Sequence, residues 1–138
     1  MNWKVRVPLF AAALWWGSLS VVGFVVVPLL FANLATPAAA GQMAAKLFSA
    51  QTWVGVGCGV LVMFASRADG TAARMDWGGG VLKYVFAGVL LALLAEFAVA
   101  PRIVARENLA LWHGLGSAMY LAQWFCAGFA LWKLSLRN

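Results

Sequence analysis

The residues able to do chemistry in this chain gather in one stretch, Glu96 to Tyr120 (EFAVAPRIVARENLALWHGLGSAMY). It holds two of the four acidic residues, two of the ten basic ones and the single histidine. A carboxylate at Glu96, guanidinium groups at Arg102 and Arg106, an imidazole at His113 and a hydroxyl at Ser117 form a set that pairs ions or binds a small polar solute. Lys46 and Gln51, from earlier in the chain, are expected on the same side. No Ser–His–Asp arrangement, Gly-rich phosphate loop, CxxC pair or metal-spaced Cys/His pair accompanies them. Enzymatic activity is not expected.

Helical spacing refines this picture. Gly88, Ala92 and Glu96 recur every four residues, which puts Glu96 on a small-residue stripe facing another helix rather than lipid. By the same arithmetic His113, Ser117, Tyr120 and Trp124 share one helical face. An ionisable group inside a membrane is costly and points into a bundle, paired. The partners within reach are Arg102, Arg106 and His113, and the cluster reads either as a functional polar site or as a structural ion pair pinning a bend. His113 reads either as a hydrogen-bonded interface residue or as a lone ligand.

The elements that position these groups follow from composition. With 64% hydrophobic and 10% charged residues, the chain lies far outside the soluble-globular range of about 25% charged. In 138 residues a water-soluble core could not hide so much apolar surface, so the bilayer is the solvent. The spacing predicts an all-α membrane protein, a four-transmembrane-helix bundle forming a single domain over residues 1–138. Its spans fall at about 7–32, 47–65, 81–100 and 109–134, each close to the roughly 20 residues that cross a hydrocarbon core. Val7–Ala35 carries no charge and is too long for the apolar region of a signal peptide, so it reads as a retained span. Thr36–Pro37 is a helix-start signal, Ser66–Gly80 (SRADGTAARMDWGGG) the clearest loop, and Pro101–Asn108 a charged bend.

Within the second span, Gly55 and Gly59 make a GxxxG, which with Gly88 and Ala92 provides surfaces for close helix packing. Orientation follows from the basic residues. Lys4, Arg6, Arg67, Arg74, Lys83, Lys133 and Arg137 fall on one side, and Lys46, Arg102 and Arg106 on the other. Seven against three places both termini in the cytoplasm. No basic run supports a nucleic-acid partner, despite the net charge of +6.

The order of WG (Trp16–Gly17), PLLF (Pro28–Phe31), KLF (Lys46–Phe48), APR (Ala100–Arg102) and WHGLGS (Trp112–Ser117) resembles the bacterial domain-of-unknown-function family 4149, itself similar to the eukaryotic transmembrane protein 205. The resemblance covers about Ala11 to Trp132. It implies a four-helix membrane domain with Lys46, Arg102, His113 and Ser117 at the polar motif positions. A more distant similarity, to copper-resistance D membrane proteins, implies histidine and methionine ligands for a soft metal. This chain offers one histidine and no methionine spaced onto its face.

The function expected is that of a non-enzymatic inner-membrane protein of bacteria. It serves as an accessory subunit of a membrane complex or handles a small solute or metal through the outer polar cluster. The alternative is a copper- or haem-binding protein using His113, which would need a second copy or a second protein to complete the ligand set. Otherwise no cofactor is expected. Its partners are the lipid bilayer and other membrane subunits or further copies of itself.

Overall fold

The computed structural model describes residues 3–67 and 80–136. Most of the expected loop Ser66–Gly80, with Arg74, lies outside the described residues, as does Arg137. Every regular element described is helical: α1 (Trp3–Val21), a π-helical segment (Val22–Val26), α2 (Val27–Asn33), α3 (Pro37–Arg67), α4 (Leu82–Leu94), a second π-helical segment (Ala95–Val99), α5 (Ala100–Val104) and α6 (Leu109–Ser135). The π segments join their neighbours end to end. The chain therefore forms four rods among the described residues: Trp3–Asn33, α3, Leu82–Val104 and α6.

Three of these rods, Trp3–Asn33, Pro37–Ala65 and Leu82–Val104, are long and apolar enough to cross a membrane. The protein is a multi-pass membrane protein. At 27 residues α6 has the length, but it is not among these three. A rod of 31 residues is about 46 Å long, against a hydrocarbon core of about 30 Å, so the first two rods tilt or protrude.

Two prolines shape the rods. Pro28 has no N–H for the Phe24 carbonyl and Pro101 none for that of Phe97, and each ring crowds the carbonyl four residues back. In both rods the turn just before the proline widens, so that Val27 N–H reaches Val22 O and Ala100 N–H reaches Ala95 O. Because widening absorbs the clash, helix continues past Pro101 to Val104. The bend expected over Pro101–Asn108 is thus confined to Ala105–Asn108. There the chain reverses through positive φ at Arg106 (58°) and Asn108 (36°), and asparagine is among the residues that tolerate that region. The other bend is closed by Thr36, whose hydroxyl accepts the Ala39 N–H at 3.1 Å to cap α3.

The rods run antiparallel in a ring. The first packs on the second and fourth, and the third likewise packs on the second and fourth. Trp15 meets Gly55, Gly59 meets Val89, Gly88 meets Cys126 and Gly128 meets Trp16, so numbering rises on one rod as it falls on its neighbour. The apolar core gathers Ala12, Trp15 and Leu19 with Cys58, Val62, Val85, Ala127 and Ala130, in the half of the bundle nearer the described ends of the chain. The half nearer the bends is looser, though Ala40, Ala44 and Val99 are buried there. Nothing in Val22–Asn33 or in α5 is buried, and on α6 burial begins only at Gln123.

Candidate functional site

Where the tight half gives way to the loose one, polar side chains form a layer across the bundle. Glu96 sits in the widened turn Ala95–Val99, half-buried, and the Ser49 hydroxyl of α3 donates to its Oε1 at 2.6 Å. Its Oε2 has no partner among the described residues. Trp53 on α3 and Phe97 on the third rod, both more than half exposed, bring their rings edge-on at 6.4 Å. A carboxylate at this depth is held by one hydroxyl donor and is otherwise open.

The rest of the layer ties the first rod to the second and fourth. The Gln51 amide donates to Ser18 Oγ at 2.9 Å, and Ser18 in turn donates to the Trp15 carbonyl at 3.0 Å. From α6, Trp124 Nε1 donates to Ser20 Oγ at 2.8 Å, which donates to the Trp16 carbonyl at 2.8 Å. Tyr120 donates to the Leu19 carbonyl at 2.6 Å, with its ring against Gly23 and edge-on to Phe48. Each serine bonds back to its own helix and offers its remaining lone pairs across the interface. A hydroxyl in a membrane bundle is satisfied that way at small cost. Gln123 Oε1 and Trp15 Nε1 are buried without a hydrogen-bond partner among the described residues.

The structure does not gather the expected cluster into one site. Glu96 is partnered by Ser49, and no ion pair joins it to Arg102, Arg106 or His113 among the described residues. Arg102 instead lies 3.9 Å from Glu107 and over the Trp112 ring, 4.6 Å from its centroid. Helix continuing past Pro101 carries Arg102 to the end of the rod and leaves Arg106 in the bend beyond it. Arg106, His113, Ser117 and Lys46 are exposed, and the Ser117 hydroxyl bonds only to the His113 carbonyl of its own helix. His113 and Ser117 continue the face of Tyr120 and Trp124, but the looser bend half leaves that stretch of α6 exposed. Gln51 turns to the first rod rather than to Glu96.

The small residues lie at rod contacts, and what approaches them is side chain. A Cβ on Gly55 would meet the Trp15 indole, one on Gly59 the Val89 side chain, and one on Gly88 both Trp15 and Cys126, while Ala92 is fully buried. Ser18, Ser20, Ser49 and the hydrogen-bonding roles of Tyr120 and Trp124 escape the sequence reading. The usable signal was three serines and a Gln within otherwise apolar runs.

No three of the described His, Cys, Asp and Glu residues stand together as a metal site. His113 supplies the single imidazole of the chain.

A family model described as a domain of unknown function (DUF4149) matches residues 10–111. The chain belongs to this family. The DUF4149 match takes in Ser18, Ser20, Ser49, Gln51, Glu96 and Arg102, and stops short of His113, Ser117, Tyr120 and Trp124. No curated protein and no solved structure matches the chain.

Proposed function

We propose that this DUF4149 protein crosses a bacterial inner membrane four times, with both termini in the cytoplasm. In this reading it is not an enzyme and handles a small cationic solute or the proton at Glu96. The observation that carries the reading is the state of that carboxylate. It lies within an apolar rod, holds one hydroxyl donor, has an oxygen without a partner among the described residues, and sits where the core thins toward the bends. An unpaired acid in a membrane is costly and is characteristic of ion and proton pathways. Ser49 orients the carboxylate while Oε2 receives the proton or cation. Gly55 and Gly59 serve as packing positions that keep the second rod against Trp15 and Val89, which fixes Ser49 opposite Glu96.

The test is flux through proteoliposomes carrying an entrapped pH-sensitive dye, under an imposed proton or sodium gradient. Wild type is expected to dissipate the gradient faster than empty vesicles, and Glu96→Gln to fall to the empty-vesicle rate while keeping its helical circular dichroism. Equal rates for wild type and Glu96→Gln would remove the solute role and leave the accessory-subunit reading in its place.

A further inference from the structure

A shallow, open groove lies on the outer surface of the third rod and the bend after it, lined by Phe97, Ala98, Pro101, Arg102 and Glu107. Its floor is apolar and its mouth carries one cation and one anion. Phe97 lies five residues deeper than Arg102, about 7.5 Å along the helix axis, and is largely exposed. The groove thus runs from acyl-chain depth toward the end of the rod. At the mouth, Arg102 is steadied from one side by the Trp112 ring, while its contact with Glu107 is long at 3.9 Å and both side chains are more than half exposed. An exposed pair at that distance is weak and readily exchanged for better partners. The guanidinium has five N–H donors, and its one ion pair with Glu107 leaves most of them for a phosphate.

From this arrangement we infer that the groove is a binding site for a phospholipid whose headgroup carries a primary ammonium beside its phosphate. The phosphate takes the Arg102 guanidinium, the ammonium takes the Glu107 carboxylate, and an acyl chain lies along Pro101, Ala98 and Phe97. The pairing of charges chooses among headgroups. A purely anionic headgroup would satisfy Arg102 but be repelled by Glu107. A quaternary ammonium would meet Glu107 without an N–H to donate. Only a primary amine next to the phosphate satisfies both side chains at once. The site is separate from Glu96, and either assignment stands if the other fails.

Purified, delipidated full-length protein would be titrated with phosphatidylethanolamine, phosphatidylcholine or phosphatidylglycerol, and bound lipid counted by native mass spectrometry. Phosphatidylethanolamine should bind about three- to fivefold more tightly than the other two, the size of one weakly screened charge contact. Glu107→Gln should reverse the order so that phosphatidylglycerol leads, and Arg102→Gln should weaken binding of all three lipids while leaving phosphatidylglycerol the weakest. Lys46→Gln, on another rod, should leave binding unchanged. Equal binding of the three lipids by wild type, or a preference for phosphatidylglycerol, would overturn the inference before any variant is made. So would a Glu107→Gln protein that is still helical and keeps the wild-type order.

Discussion

Trp15 shows at the scale of one residue how this bundle is keyed together. Its indole is completely buried on the first rod and reaches both Gly55 on the second and Gly88 on the third. A methyl group at position 88 would stand 2.7 Å from Trp15 Cη2 and 3.2 Å from Cys126 Cβ, in contacts that have no flexible end to swing away. Gly88→Ala should therefore lower the thermal midpoint in detergent, by an overpacking cost of about 1–3 kcal/mol. Gly57→Ala makes a matched control, because nothing lies within 4 Å of a Cβ there, and it should leave the midpoint unchanged or raise it. Equal shifts for the two variants would mean that the indole is not seated between the rods as described. Residue-level reasoning from sequence reaches Glu96, since an acid in an apolar run announces itself. It does not reach Ser49, because spacing along one helix defines a face without saying which residue, 47 positions away, stands opposite.

The rods are the next scale, and here their number and direction are legible while their local geometry is not. Apolar runs broken at Thr36–Pro37 and at the charged bend announce where helices start and stop. That a proline two residues beyond Val26 or Val99 widens the preceding turn depends on which carbonyl it crowds and on what packs there. The widening explains why the arginines end up away from Glu96. It also keeps the rods continuous, and antiparallel rods with two bends at one end put positions 3, 67, 80 and 136 at the other. With the basic residues weighted toward that end, reporter fusions after Gly70 and at the carboxyl end should report cytoplasm, and fusions near Gly41 and Arg106 the opposite side. The opposite pattern would place the Arg102 groove and the Glu96 layer in the cytoplasmic leaflet. An outer-side signal at the carboxyl end alone would mean that α6, which is not among the three rods long and apolar enough to cross a membrane, does not span.

For the molecule as a whole, the division into two halves matters most. One half is closed by Ala, Gly and Trp15. The other is open around a polar layer that joins all four rods through Ser18, Ser20, Ser49, Gln51, Glu96, Tyr120 and Trp124. Composition reveals that the bilayer is the solvent, but not that polar groups line up at one depth, because depth is set by the register between rods. The central claim is that Glu96 is a carboxyl within the membrane and open to a solute. Carbodiimide labelling of intact membranes, read by mass spectrometry of the protein, tests it directly. An apolar carbodiimide should modify Glu96, whereas a water-soluble one should modify Glu107, exposed at the bend, and spare Glu96. Modification of Glu96 by the water-soluble reagent to the same extent as Glu107, or by neither reagent, would contradict the account.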